Sequence, residues 1–382
     1  MKPSSQKQRL MFFVTEDWYF VSHRLALAKK ALEAGFDVSV VTRVSENEKD
    51  IIEAGIRLYP LPIHRSGLNV GREILTILKL IFIYAKERPD IAHHVGMKPV
   101  LYGSIAARFT GVKNVVNALA GLGFVFTSIT PRARLLRPIV RRFLKLVLSR
   151  RGARLILQNH DDVALFVDQG LVDRKAVRLI RGSGVDPSRY SMSPEPENAP
   201  PLVVFPARLL KDKGVLEFVE AARILHARGV AARCALVGAP DPLNPASLSL
   251  KDVYALQTGG DIEYWGWQKD MAAVFSGANV ICLPSYREGL PKALLEAAAC
   301  GRAIVTTDVP GCREVVREGE NGWLVPARDA AVLATCLQEA LARPDLRAIY
   351  GARGRKKIEE EFSLNRVTAE TLAVYREFNN AH

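Results

Sequence analysis

Residues 282–301 read Cys282-Leu-Pro-Ser-Tyr-Arg-Glu288-Gly289-Leu290-Pro291-Lys292-Ala-Leu-Leu-Glu296-Ala-Ala-Ala-Cys-Gly301. The short apolar run that leads into them, Asn279 to Leu283, has the length and composition of a buried strand. A glycine-containing turn follows. Pro291 then predicts a helix start, because a proline at the first helical position lacks only an N–H that would be unpaired anyway. A helix start offers free N–H groups and a positive dipole end, which suit a phosphate or a sugar hydroxyl. Glu288 falls in the loop and Glu296 inside the helix. Carboxylates at such a junction accept hydrogen bonds from neutral diols such as ribose or hexose hydroxyls. The spacing of the two glutamates is a weak signal by itself, since surface helices often carry both. The Ala-Ala-Ala-Cys-Gly after Glu296 is apolar, which favours a buried, ligand-facing carboxylate there.

The same strand–turn–helix unit recurs on both sides. Toward the C-terminal half the expected elements are strands at Leu202–Pro206, Ala232–Val237, Ile262–Tyr264 and Ala303–Thr306, with helices at Val215–Arg228 and Pro291–Cys300. Toward the N-terminus they are strands at Leu10–Val14, Val38–Thr42, Ile91–Val95, Val112–Leu119, Arg154–Gln158 and Val177–Arg181. Helices are expected at His23–Ala34 and Leu101–Phe109. Apolar strands alternating with helices imply parallel sheets covered on both faces. Residues 191–201 hold four prolines in Ser191-Met-Ser-Pro-Glu-Pro-Glu-Asn-Ala-Pro-Pro201, too many for a helix or a central strand. The expectation is an α/β chain of two doubly wound, Rossmann-like domains facing a cleft. Their expected bounds are 1–186, a linker at 187–200, a second domain at 201–365, and a helix at 366–382 that packs back on the first domain.

The length of 382 residues suits two domains, and 48% hydrophobic residues exclude a disordered or fibrous chain. The 5 cysteines are odd in number and lack Cys-x-x-Cys spacing. They are expected as small buried groups in a reducing, cytoplasmic compartment, not as disulfides or metal ligands. No signal peptide is expected, and the longest apolar helix candidate, Ile74 to Ala85, is too short to cross a bilayer. The net charge of +13 is unevenly placed. Residues 1–186 hold 30 Lys and Arg against 16 Asp and Glu, a net of +14, and the remainder carries −1. Between residues 91 and 160 there are 12 basic residues and no acid. Such a field attracts an anionic partner: nucleic acid, a phospholipid surface or a diphosphate. Within it, Arg132, Arg134, Arg137, Arg141, Arg142, Lys145, Arg150 and Arg151 alternate with apolar residues at helical spacing. That predicts an amphipathic helix suited to an anionic membrane surface, or to the core with a solvated basic face.

A second constellation lies past the first strand of the second domain, Phe205-Pro-Ala-Arg208-Leu-Leu-Lys211-Asp-Lys213-Gly214. Arg208 can grip a phosphate through two bonds, and Lys213 adds a point charge. With Glu288-Gly-Leu-Pro and Glu296-Ala, with Thr307-Asp-Val-Pro-Gly-Cys-Arg-Glu314 and with Asn321-Gly322, this pattern resembles the nucleotide-sugar glycosyltransferases of family 4, also called group 1. The likeness spans the chain and is strongest over residues 200–330. The run Cys282 to Lys292, with Ile262-Glu-Tyr-Trp-Gly266 before it, is similar to the subgroup that extends undecaprenyl-diphosphate-linked sugars, including N-acetylgalactosaminyltransferases.

The resemblance implies a GT-B fold and a retaining, metal-independent transferase that needs no cofactor. The donor would be a UDP-sugar, and a polyprenyl-diphosphate-linked saccharide would accept the hexose or N-acetylhexosamine. Arg208 and Lys213 would hold the donor diphosphate, Glu288 with the backbone of Gly289, Leu290 and Pro291 the transferred sugar, and Glu296 the ribose. Lys98, and beside it His94, are the candidate acceptor-diphosphate contacts. The first domain departs from the commonest family pattern. Its first turn, from Thr15 to Arg24, lacks a Gly-Gly pair. Asn117-Ala-Leu-Ala-Gly121-Leu-Gly123 stands where many members have His-Gly, so no catalytic histidine is assigned and the apolar loop is expected to face lipid. The competing readings are a nucleotide-sugar 2-epimerase on the same fold and a basic nucleic-acid-binding protein. No nucleic-acid motif supports the second, and nucleic acid is not expected as a partner. No G-x-G-x-x-G follows the first strand, which disfavours a dehydrogenase.

Overall fold

The computed structural model describes residues 7–63, 69–121, 131–197 and 199–378. The chain divides into two units, Met1–Ser183 with Val367–His382, and Gly184–Arg366.

Unit 1 is built on seven strands: β1 (Arg9–Glu16), β2 (Asp37–Arg43), β3 (Arg57–Pro60), β4 (Ile91–Val95), β5 (Asn114–Ala118), β6 (Ala153–Leu157) and β7 (Val177–Leu179). Their order is β3-β2-β1-β4-β5-β6-β7, with every pair parallel. The helices are α1 (Asp17–His23), α2 (Leu25–Glu33), α3 (Glu48–Glu53), α4 (Val70–Glu87), α5 (Met97–Thr110), α6 (Pro131–Leu148) and α7 (His160–Asp168). Successive strand residues point to opposite faces, so β1 serves two cores. Leu10, Phe12 and Val14 pack with Leu27 and Ala28 of α2, while Met11 and Phe13 pack with Leu80 and Tyr84 of α4 and Ala106 and Ala107 of α5. The helix expected from His23 begins earlier, at Asp17, and breaks at Arg24, whose backbone is not helical (φ −129°, ψ −16°).

Unit 2 has six parallel strands: β8 (Leu202–Pro206), β9 (Arg233–Val237), β10 (Glu263–Gly266), β11 (Val280–Leu283), β12 (Ala303–Thr307) and β13 (Trp323–Val325). Their order is β10-β9-β8-β11-β12-β13. All residues of β8, β11 and β12 are buried, as strands covered on both faces must be. The helices are α8 (Val215–Ala227), α9 (Leu250–Gln257), α10 (Met271–Ser276), α11 (Lys292–Ala299), α12 (Cys312–Val315), α13 (Ala330–Ala342) and α14 (Pro344–Lys357), and α15 (Leu364–Arg376) ends the fold. From Val367 onward α15 belongs to unit 1. There Tyr375 is buried among Phe36 and His93, and Glu377 pairs with Arg154 and Arg178, each at 2.7 Å.

The described part of 187–200 holds neither helix nor strand, but it is not a bare connector. It counts within unit 2, and Tyr190 is buried there.

Candidate functional site

In both sheets the chain lays strands outward to one side of the first strand and then resumes on its other side. The carboxyl ends of β8 and β11 therefore flank the point where strand order reverses, the place where such sheets bind ligands. The two constellations singled out in the sequence lie there. Arg208 and a single turn at Lys211–Lys213 follow β8, and Ser285, Glu288 and α11 follow β11.

Two glycines let the backbones approach closely enough to build this corner. Gly214 sits at φ +75°, and a Cβ on it would stand 2.0 Å from the carbonyl oxygen of Pro284. Gly238 sits at φ +145°, and its Cβ would stand 2.0 Å from the carbonyl oxygen of Ala207. Only glycine fits both the backbone angle and the space. The first contact brings Lys213 to Glu288, whose Oε1 lies 2.5 Å from Nζ and also accepts a 2.7 Å bond from Ser285 Oγ. The second brings the loop after β9 to Arg208, which pairs with Asp241 at 2.5 Å. Pro291 is one position outside α11, at its N-cap, and its carbonyl accepts from the N–H of Leu294 and Leu295. Glu296 is buried; its Oε1 accepts from Tyr190 Oη at 2.7 Å and lies 3.3 Å from Lys292 Nζ.

Thr307 and Asn321, which carried the family likeness, and Thr306 beside them make bonds that fix the backbone in this part of unit 2. Thr306 Oγ1 donates to the carbonyl of Leu283 at 2.7 Å, Thr307 Oγ1 donates to that of Ser285, and Asn321 Nδ2 donates to that of Val315 at 2.9 Å. Asp241, Ser285 and Tyr190 went unnoticed in the sequence. Asp241 follows the Gly238-Ala-Pro turn at a strand end, which is a usable signal. Nothing local marks Tyr190.

The corresponding place in unit 1, at the carboxyl ends of β1 and β4, is filled differently. His94 is fully buried, with Nε2 3.1 Å from Tyr84 Oη and Nδ1 2.8 Å from Asn117 Oδ1. Burial lowers its pKa to about 4, so it is a neutral core residue. With both ring nitrogens engaged inside, His94 cannot make the acceptor contact expected of it. His93 is buried too, 2.6 Å from Tyr375 Oη, and its pKa lies well below the usual histidine range for the same reason. Lys98, in the first turn of α5, is more accessible. Its Nζ is 2.6 Å from Glu73 Oε1 on α4, and Tyr102 Oη donates to Glu73 Oε2 at 2.7 Å. Leu122 and Gly123 of the loop expected to face lipid lie outside the described residues, as do the side chains of Arg132, Arg134 and Arg137.

On α6 the apolar residues divide. Leu144, Val147 and Leu148 are buried in a core with Leu155 and Leu157, while Ile139, Phe143 and Leu146 are exposed. On α4, Val70, Ile74, Leu78 and Phe82, four residues apart in turn, form an exposed row, and Phe109 of α5 is exposed as well. Among the described residues no helix is long and apolar enough to cross a membrane.

Residues 200–343 match the family model described as "Glycosyl transferases group 1", and residues 9–159 match "Glycosyl transferase 4-like". The N,N'-diacetylbacillosaminyl-diphospho-undecaprenol alpha-1,3-N-acetylgalactosaminyltransferase of Campylobacter jejuni is 26% identical over 340 residues, 85% of this chain and 87% of that one. The UDP-Gal:alpha-D-GlcNAc-diphosphoundecaprenol alpha-1,3-galactosyltransferase of Escherichia coli is 24% identical over 77% of each chain. Among solved structures, the sucrose-phosphate synthase of Thermosynechococcus elongatus superposes with a TM-score of 0.82 at 20% identity, over 98% of this chain and 100% of that one. The shared fold is the GT-B type, with two parallel-sheet Rossmann-like units.

Proposed function

Since the chain belongs to the group 1 glycosyltransferases of family 4, we propose that it moves a hexose or N-acetylhexosamine from a UDP-sugar to a polyprenyl-diphosphate-linked saccharide in glycan or polysaccharide assembly. The observation that supports this reading is the Lys213–Glu288 pair joining the loops after β8 and β11, with Arg208 on the first of these loops and Glu296 on the helix after the second. Two relatives of matching length whose names specify diphosphoundecaprenol-linked acceptors support it.

In this reading Arg208 and Lys213 exchange their carboxylate partners, Asp241 and Glu288, for the donor diphosphate. They neutralise the charge that grows on the leaving phosphate, the kind of preorganised electrostatic aid that lowers a barrier most. Glu288, released from Lys213, accepts from hydroxyls of the transferred sugar beside the backbone of Gly289, Leu290 and Pro291. Glu296 accepts from the ribose. Positive side chains supply what a divalent ion would otherwise supply, so turnover is independent of metal. The sugar keeps its anomeric configuration: the acceptor oxygen attacks from the face the diphosphate leaves, and the leaving phosphate takes its proton. Lys98 faces the acceptor diphosphate.

A lipid-linked acceptor requires the enzyme to work at a surface, on the inner face of the cytoplasmic membrane. The exposed apolar residues of α4, α5 and α6 support a peripheral docking face there, together with Arg142 and Lys145, exposed on α6. Each basic residue near an anionic surface contributes up to about 1 kcal/mol, reduced by salt. Flotation with vesicles should rise with anionic lipid and fall with salt. Arg141/Arg142/Lys145→Glu and Leu78/Phe82→Glu should each reduce it. Equal recovery of all proteins on neutral and anionic vesicles would remove the membrane from this reading.

The decisive experiment incubates the protein with a panel of UDP-sugars and undecaprenyl-diphosphate-linked acceptors, with and without EDTA. The products are read by mass and by the anomeric coupling in NMR. An acceptor heavier by one sugar, with retained configuration and in EDTA, is expected. UDP-sugar interconversion with no acceptor would instead make the protein an epimerase.

A further inference from the structure

Residues 190–196 are held on unit 2 by side chains far away in sequence. Arg355 Nη1 donates to the carbonyls of Tyr190 and Ala299, both at 2.6 Å, and so joins the segment to the end of α11. Arg302, buried, donates to the carbonyl of Ser193 and, at 2.9 Å, to its Oγ. Arg347, also buried, reaches Glu195 at 2.7 Å while donating to the carbonyls of Ala340 and Leu341. Asn279, at the mouth of β11, donates to Glu195 Oε1 at 2.7 Å and to the carbonyl of Pro196 at 2.9 Å. A stretch without regular structure is thereby fixed in place at several points.

Tyr190 is the side chain this clamp presents to α11. Its ring packs near Phe275, 6.4 Å between centroids, and the Arg189 guanidinium lies 5.6 Å from its centroid. Its hydroxyl donates to Glu296 Oε1 at 2.7 Å across 106 residues of sequence. Burial and the adjacent carboxylate raise the phenol's pKa, so it stays protonated and can only donate to that oxygen. The second contact of the carboxylate, Lys292 Nζ, falls on the same oxygen.

We propose that Tyr190 is a positioning residue for the nucleotide: by anchoring Oε1 of Glu296 it sets the plane and direction in which Oε2 accepts from the donor's ribose diol. The inference rests on the reading of Glu296 as a ribose contact, and it adds a residue from a segment that carries no family motif. A free glutamate in mid-helix samples several rotamers and loses that freedom when it binds; an anchored one has already lost it. A hydrogen bond to a charged group is also stronger than a neutral pair, so the anchor is not easily replaced by water.

The test compares wild type, Tyr190→Phe, Glu296→Gln and the double variant by calorimetric titration with UDP and with 2′,3′-dideoxy-UDP, alongside steady-state kinetics. Tyr190→Phe keeps the ring that packs on Phe275. It should weaken UDP binding about tenfold and raise the donor KM by a similar factor, with kcat at saturating donor within about twofold. The loss should vanish for the dideoxy nucleotide, which has no diol to meet Glu296, and it should not add to the loss in Glu296→Gln. If Tyr190→Phe binds UDP as wild type does while Glu296→Gln binds weakly, the positioning role is wrong and the ribose contact stands. If Glu296→Gln also binds UDP normally, the ribose contact itself is wrong. Equal weakening toward both nucleotides would make Tyr190 a packing residue and overturn the proposal.

Discussion

The two units lay down their first six strands in the same order, and they place opposite chemistry at the same point of it. After β8 and β11, short loops with glycines at close approaches carry Arg208, Lys213 and Glu288 to the strand ends. After β1 and β4 the chain enters helices almost at once, and apart from Lys98 the polar groups at the ends of these strands are buried against the protein itself. Asp17 is buried, and against that burial the Ser45 hydroxyl and the backbone N–H of Ser45 and Asn47, all donating to it, hold its carboxyl below the usual range. His93 and His94 are sealed in as neutral groups. Topology therefore supplies the same strand-order switch point in each unit, and local composition decides whether ion pairs at the strand ends or buried neutral groups occupy it. Function follows the residues grafted on a fold, not the fold.

The largest expected difference lies in turnover. In the proposed reading Arg208→Ala and Lys213→Ala each remove a preorganised charge from the leaving diphosphate, so either should lower kcat/KM about 10²- to 10³-fold, roughly 3–4 kcal/mol. Near-normal turnover with an intact fold, checked by circular dichroism, would erase the distinction between the two strand-end sites.

Acid should expose the other side of the comparison. His94 has a folded pKa of about 4, against about 6.5 when unfolded. The unfolded chain therefore binds a proton that the folded chain refuses, and stability rises with pH between those values. This contribution is complete above pH 6.5 and is lost as pH falls toward 4, by up to about 3 kcal/mol, with His93 acting in the same direction. Hydrogen exchange at pH 5 should show β4 and its neighbours opening before β8 and β11. His94→Gln, which keeps polar contacts with Tyr84 and Asn117, should flatten that acid limb. Loss of protection first in unit 2 would contradict the assignment.

The smallest effect separates donor from acceptor. Lys98→Ala should raise the acceptor KM about tenfold, the value of one exposed phosphate contact near 1.4 kcal/mol, and leave the affinity for UDP unchanged. Weaker UDP binding in that variant would show that Lys98 does not belong to a separate acceptor site.

Much of this architecture is legible locally. Strands buried on both faces appear as short apolar runs, and the turn residues between them mark the units, so two doubly wound sheets follow from the alternation alone. The strand–turn–helix junction around Glu288 and the basic turn at Arg208 were legible for the same reason, since each motif lies within a few residues of its strand end. Loop chemistry was harder to read in the first half. His94 stands at a strand end like Arg208, and nothing in the run Ile91 to Val95 says that Tyr84 and Asn117 close over it. The amphipathic pattern of α6 likewise did not say which apolar residues enter the core. Leu144 and Val147 do, while Phe143 and Leu146 do not, because the described side chains of α6 meet α5 and β6 through one stripe.

By itself the sequence determined the alternation of elements, the uneven charge and the identity of the residues at the strand ends. Those properties depend on side-chain type and on periods of two to four residues. Tertiary structure alone decided who meets whom. Lys213 reaches Glu288 across 75 positions, Arg208 reaches Asp241 across 33, and a proline-rich stretch without regular structure delivers Tyr190 to Glu296. The first two meetings are set by strand order and by backbone contacts only glycine permits, the third by the arginines that hold the segment on unit 2. Strand order is fixed by the packing of whole helices on a whole sheet, and no short window of sequence contains that information.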